Sequence, residues 1–460
     1  MRVRALILLA AAMAPSLRAA DPTAPSAAAN PDPEVRAMVE DVNPERIQKS
    51  IYVLASFKTR HTLSDPLPSG DGIGGAVSWI RAEFERISKE AGGRLNVELD
   101  SFDQHPAPPR IPQEVQITNV VATLPGTDAA SGRTLVVSGH YDSRASNPLD
   151  ATGAAPGADD DASGVAAVIE LARVMSHYRF PATLVFLAVA GEEQGLNGST
   201  HWAKTARERH ADIEAMLDND IIGSSRSETG AIDRGSVRLF AQGIPPVAAP
   251  DDALLALIRA GGENDTPPRE LARSVRDIAA AYVPALKVRV IYRMDRYLRG
   301  GDHLPFLEQG YAAVRFTEPA EDFRRQHQDV RQEGSVTYGD TPDHVDFAYV
   351  ADVARVNGAA LAVLARAPAP PTGVQIETAR LENDTTLRWD PGTDPGLAGH
   401  RVVWRETTSP FWEHSLDVAK DTNRVTVPGV SKDNVVFGVE AFDAAGHESP
   451  AVFPSARRTL

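Results

Sequence analysis

Two continuous apolar runs, each ending on residues able to hold a cation, constrain this chain more than any other feature. Thr134-Leu-Val-Val-Ser-Gly-His140 stops at a histidine, and Thr183-Leu-Val-Phe-Leu-Ala-Val-Ala190 stops at Gly191-Glu192-Glu193. Apolar runs of this length read as strands covered on both faces. Between them Val165, Val168, Ile169 and Ala172 recur at helical spacing, so Asp161 to Met175 is expected to be the crossover helix of a β-α-β unit. Parallel strands joined this way present their carboxyl ends along one edge, where open α/β sheets bind ligands. The stretches Gly139-His-Tyr-Asp-Ser143, Pro156-Gly-Ala-Asp-Asp-Asp-Ala-Ser-Gly164 and Gly191-Glu-Glu-Gln-Gly195 should therefore meet on one rim. One such loop would be an ordinary solvated turn. Three in a single unit point to a metal site.

The chain has no cysteine. A metal on that rim must then be held by His, Asp and Glu, and stability must come from core size rather than disulfides. Residues 1–20 begin with Arg2 and Arg4, continue through an apolar stretch from Ala5 to Ala14, and end on Ala19 and Ala20. That order is a signal-peptide pattern, too short to span a bilayer, and implies a secreted or periplasmic location. No later apolar run reads as a membrane span. Residues 21–44, rich in Ala, Pro and Asp at their start, are expected to be disordered. Removing residues 1–20 takes away three arginines and no acid, moving the net charge from −15 to −18. Such a balance argues against nucleic acid or an anionic membrane as partner.

Further along, helices are expected over Glu45–Phe57 and Ala76–Lys89, with the glycine-rich stretch 69–75 between them a loop. Strands are expected over Val97–Phe102 and Val115–Leu124, then a strand from Glu214 carrying Asp218 and Asp220, two apart and so on one face. Residues 224–300 are the least legible, with helices expected near Ala253–Arg259 and Leu271–Ala281 and a strand over Val288–Tyr292. Tyr311–Phe316 reads as a buried strand, and the long polar stretch Thr317–Asp346 holds His327 and His344. Loops that long within a domain are usually functional. Phe347–Ala365 closes the domain as a helix. The proline-rich stretch 367–371 is a stiff linker, beyond which short alternating strands indicate an all-β sandwich over 372–460. The expected fold is thus a mixed, mostly parallel α/β sheet with helices on both faces over 45–366, followed by a sandwich able to detach without loss of the first unit.

Taken together, the His140, Asp159–Asp161 and Glu192–Glu193 motifs and Asn219-Asp-Ile-Ile-Gly223 resemble the co-catalytic di-zinc aminopeptidase family, which includes the single-zinc glutaminyl cyclases. The C-terminal stretch around Trp389 and Phe437–Ser449 resembles a fibronectin type III domain. The first resemblance implies two zinc ions. His140 and Asp220 would bind one and Glu193 the other, with Asp160 bridging them and joined to Asp161 by a cis peptide. Asp142 would orient His140 through its second ring nitrogen. The fifth ligand would be His327, with His344 as the alternative. Gln326 stands where relatives carry a tyrosine, which leaves the oxyanion helper unassigned. Asp302-His303 is expected to cap a short helix.

Glu192 and Glu193 are sequence neighbours, so their side chains diverge on an extended segment. One can ligate while Glu192 faces the water as general base. The resemblance therefore implies a secreted aminopeptidase acting on peptides, with the fibronectin-like domain attaching it to a surface, polymer or protein. A one-zinc glutaminyl cyclase and a non-catalytic binding protein are the alternatives, and metal content separates the first two.

Overall fold

The computed structural model describes residues 31–128 and 130–457. The expected signal peptide, residues 1–20, lies outside the described residues. Eight strands form the central sheet: β1 (Asn96–Gln104), β2 (Val115–Leu124), β3 (Arg133–His140), β4 (Thr183–Val189), β5 (Asp212–Asn219), β6 (Ser236–Ala241), β7 (Lys287–Ile291) and β8 (Ala313–Thr317). Their spatial order is β1-β2-β4-β3-β5-β8-β6-β7. The pairs β3–β4, β3–β5, β5–β8 and β6–β7 are parallel, and the remaining three are antiparallel. β3 thus sits between β4 and β5, and all three end on the same edge.

Alternate residues of these strands feed two cores on opposite faces of the sheet. Leu135 and Val137 pack with α2 (Pro44–Ser56), α3 (Ile73–Glu90), α4 (Ala162–Met175), α7 (Pro267–Tyr282) and α9 (Phe347–Arg366). Val136 faces the other way, toward Ala203 of α5 (Asn197–Glu208) and Phe306 of α8 (His303–Glu308). α9 is long and apolar enough to cross a membrane by composition alone, yet its side chains are the centre of the larger core.

The expectation of disorder over 21–44 fails for α1 (Pro33–Asp41). Asp32 caps it by accepting from Glu34 N, Pro33 opens its first turn, and Val35, Met38 and Val39 are buried. α3 also starts earlier than expected, at Ile73, so Gly74 and Gly75 are helical. A Cβ on Gly74 would lie 2.1 Å from Pro66 O, so the helix start needs glycine there. Within the least legible stretch, 224–300, the two expected helices are α6 (Asp252–Arg259) and α7, the expected strand is β7, and β6 is added to them. The polar stretch 317–346 contains a small hairpin, β9 (Arg331–Glu333) and β10 (Val336–Tyr338).

The C-terminal strands are β11 (Gln375–Glu377), β12 (Thr385–Arg388), β13 (Leu397–Glu406), β14 (His414–Ala419), β15 (Arg424–Val427), β16 (Val435–Asp443) and β17 (Ser455–Arg457). They form two sheets, β15-β12-β11-β17 and β14-β13-β16. Leu387, Trp389 and Val427 from one meet Val402, Trp404, Phe437 and Val439 from the other, which makes a sandwich with Trp389 in its core.

A proline linker suggests a detachable unit, but the sandwich is docked through buried charge. Arg405 Nη2 reaches both oxygens of Asp265 at 2.6 and 2.9 Å, with both side chains almost completely buried. Arg273 and Tyr292 donate to Pro410 O at 2.8 and 2.6 Å, and Trp412 Nε1 donates to Glu270 at 3.1 Å.

Candidate metal centre

The carboxyl ends of β3, β4 and β5 bring together the residues named from the sequence. His140 ends β3, Glu192 and Glu193 follow β4, Asp220 follows β5, and Asp160 lies in the turn that opens α4. His327 comes from the long segment after β8. Its backbone takes a left-handed conformation, φ 54°.

Asp160 stands between two donor groups. Its Oδ1 is 3.2 Å from His140 Nε2, which is 3.8 Å from Asp220 Oδ1. Its Oδ2 is 3.0 Å from His327 Nε2, which is 2.9 Å from Glu193 Oε1. Within each group, His140–Asp160–Asp220 and Asp160–Glu193–His327, one donor atom per residue lies within 4.8 Å of the others. His344 sits on a short turn at Pro342–His344 and belongs to neither group.

Local chemistry explains why the loops close here. Asp161 caps α4 by accepting from Gly164 N at 2.9 Å, and the same carboxylate takes His140 N at 3.0 Å and Ile221 N at 3.4 Å. One side chain therefore ties together the ends of three elements. A Cβ on Gly164 would lie 2.2 Å from Asn219 O, so only glycine lets α4 approach β5 so closely. Asp340, about 180 residues downstream, accepts from Asp159 N and Asp160 N at 2.9 and 2.8 Å. The Asp160–Asp161 peptide is cis. Ile221, next to Asp220, has φ 60°, a strained position for a β-branched residue. Its carbonyl is held by Glu318 N at 2.9 Å and Thr317 Oγ1 at 3.1 Å.

Asp142 does its work differently from the expectation. Its backbone oxygen, not its carboxylate, meets His140 Nδ1 at 3.1 Å, while Oδ1 is 3.6 Å away. The carboxylate instead accepts from Glu192 N at 3.3 Å, Glu193 N at 3.2 Å and Thr62 Oγ1 at 3.1 Å. Asp302 makes no side-chain capping bond to α8, contrary to the expected role, and His303 N donates to Asp218 at 3.2 Å. Sequence reasoning also missed Arg315, whose Nη2 lies 2.7 Å from Asp220 Oδ2 and whose Nη1 lies 2.7 Å from Asp295 Oδ2. A charged residue inside the apolar strand Ala313–Phe316 was the available signal, since such residues are almost never buried unpaired.

The electrostatics show what the rim lacks. Burial disfavours charge on Asp160, but the close imidazoles of His140 and His327 hold its carboxyl well below the ordinary range. Burial also opposes the His327 imidazolium, yet Glu193 and Asp160 raise it to about 9. Glu192 is pushed well above the usual glutamate range by desolvation and by Glu193, Asp220 and Asp302, against the pull of His140. Three buried atoms, His140 Nε2, Asp160 Oδ2 and Glu193 Oε1, have no well-directed hydrogen-bond partner among the described residues. Four carboxylates and two imidazoles crowded in this way fit divalent cations. The site opens into a cleft of about 500 Å³ that Asp160, Glu192, Glu193, Asp220 and His327 line.

Comparison with known proteins agrees with this geometry. Residues 119–360 match the model of peptidase family M28. A probable zinc metalloprotease of Leptosphaeria maculans is 46% identical over 424 residues, covering 92% of this chain and 97% of its own. One from Pyricularia oryzae is 46% identical over 430 residues, covering 92% and 85%. Matches of this length exceed what residues 45–366 can supply, so the likeness reaches into the sandwich. Among solved structures, LapB from Legionella pneumophila superposes with a TM-score of 0.51 at 19% identity, over 74% of this chain and 77% of that one. An aminopeptidase from Aneurinibacillus sp. superposes at 0.50 and 17% identity, over 72% and 96%. At these identities the two structures attest to the fold alone.

Proposed function

Because the chain belongs to peptidase family M28, we propose that it is a secreted zinc exopeptidase with two metal ions, an aminopeptidase acting on N-terminal peptide bonds. The observation that carries this reading is the pair of donor groups sharing Asp160. His140 and Asp220 would hold one zinc, Glu193 and His327 the other, with Asp160 common to both. A single-ion cyclase needs only one such group, so the doubled cluster favours the hydrolase. Zinc, when bound, supplies Lewis acidity that makes water nucleophilic near neutral pH and draws charge onto a carbonyl oxygen.

The chain's own residues do the rest. Glu192 faces the cleft without belonging to either donor group, so its carboxylate can take a proton from the attacking water and return it to the leaving amine. Asp142, bonded to the amides of Glu192 and Glu193, keeps base and ligand in register. Arg315 fixes the outer oxygen of Asp220 and so aims the inner one.

The order of residues 1–20, basic then apolar then small, supports export. We read residues 372–460 as a fibronectin type III-like domain whose role is attachment to a surface, polymer or protein. The function is tested by offering metal-replete enzyme paired dipeptides with free and acetylated N-termini. Cleavage of the free-amine member alone is expected. Equal cleavage of both would refute the aminopeptidase assignment.

A further inference from the structure

The cleft in front of the metal centre carries four guanidinium groups beside four carboxylates, and the carboxylates are already committed. Asp160, Glu192, Glu193 and Asp220 line it, and each is assigned above to a metal or to the base. Arg110 and Arg144 line the wall beside Glu193, and Arg296 and Arg299 line the wall made by the segment before Gly300. This is an unusual place to find positive charge in a chain with 62 acidic and 47 basic residues.

These arginines are incompletely neutralised. Arg110 donates to a backbone oxygen, Glu193 O, at 2.7 Å, and makes no ion pair among the described residues. Among the described residues Arg144 pairs only with Glu193, at the oxygen turned away from His327, Oε2, at 3.4 Å, and its buried Nε has no well-directed hydrogen-bond partner. Arg299 directs both Nη groups onto one neutral acceptor, Gln326 Oε1, at 3.2 and 3.1 Å. The nearest acid, Glu321, is shared among Arg238, Arg296 and Arg299. Asp295 is in turn shared between Arg296 and Arg315. Guanidinium groups from two separate segments of one cleft, with donors to spare, match a planar carboxylate, which they can bind in two-point fashion. The apolar side chains of the same cleft, Leu196, Ile221, Leu298 and Leu304, offer nothing to a second charged group.

We infer that the substrate presents a carboxylate inside this cleft, close to the scissile bond, and that Arg110, Arg144, Arg296 and Arg299 select for it. The carboxylate is either an acidic side chain flanking the bond or the free C-terminus of a short peptide. This inference rests on the exopeptidase reading and narrows its substrate class.

Matched substrates separate the two sources. The pair Leu-Leu and Leu-Leu-amide reads the C-terminus. Glu-Leu-amide against Gln-Leu-amide, and Leu-Glu-amide against Leu-Gln-amide, read side chains on either side of the bond. At least one carboxylate-bearing member should exceed its neutral partner in kcat/KM by about tenfold or more, as expected for a charge-assisted contact. Arg110→Gln and Arg299→Gln, compared at equal zinc occupancy, should erase that preference mainly through KM, and Arg299→Lys should restore part of it. Pairs that agree within twofold, or that favour the amide, overturn the inference while leaving the exopeptidase intact. If no peptide is cleaved, the exopeptidase reading falls, and a calorimetric titration with glutarate still decides the arginines' role. Weaker binding to Arg110→Gln and Arg299→Gln than to the unaltered protein supports it, and equal binding overturns it.

Discussion

Replacing Arg405 by alanine tests whether the sandwich is a working part of the fold or an attached passenger. The guanidinium makes a two-point contact to Asp265 at 2.6 and 2.9 Å, with side chains 2% and 0% exposed. Removing one partner of a buried pair generally costs about 3–5 kcal/mol, because the remaining charge is left without compensation. Arg273 still reaches Asp265 at 3.2 Å, so the lower end, about 3 kcal/mol, is expected. A chain of this size shifts by roughly 2 °C per kcal/mol or less, which predicts a melting temperature lower by about 3–6 °C in calorimetry. The control is Arg424→Ala, which breaks a pair with Glu377 whose side chains are 58% and 36% exposed and should move the melt by about 2 °C at most. The melt should also remain one transition, since the docked charges couple the two parts. An Arg405→Ala protein that melts with the control, or a wild-type chain whose sandwich melts separately, would refute the reasoning.

Three further predictions concern the metal centre. Glu192→Gln should keep its zinc, measured by atomic spectroscopy, and lose about a hundredfold or more in kcat, because the base is removed and no ligand is touched. Asp142→Ala should weaken zinc binding by about tenfold or more in a chelator competition, since the amides of Glu192 and Glu193 lose their anchor. Stripping metal with a chelator should lower the melting temperature and added zinc should restore it, because carboxylates crowded around Asp160 repel one another without cations. An unchanged melt after verified removal of metal would show that the rim is not held together by ions.

The rim on which the candidate ligands gather was legible because strand ends are periodic signals, while the role of each residue came from the family resemblance. Apolar runs that stop at His140 and at Glu192–Glu193 fix both the edge of the sheet and the residues on it. Elements without such a signal escaped. α1 is preceded by alanine, proline and aspartate, a composition typical of disorder, and only Asp32-Pro33, a cap followed by proline, marks its start. β6 is six residues long and stands in a polar region, where neither period can be counted. Asp142 was placed near His140 correctly, but whether its carboxylate or its backbone meets the ring depends on geometry that spacing does not encode. Arg405 and Asp265 are 140 residues apart and each resembles a surface charge until the fold joins them.

The most direct test of the account is the zinc content per chain of the wild-type protein beside His327→Ala and His344→Ala. Two donor groups sharing Asp160 predict two ions in the wild type, a fall toward one in His327→Ala with loss of peptidase activity, and no change in His344→Ala. A single ion in the wild type, or a loss on replacing His344 rather than His327, would contradict the proposed two-metal centre.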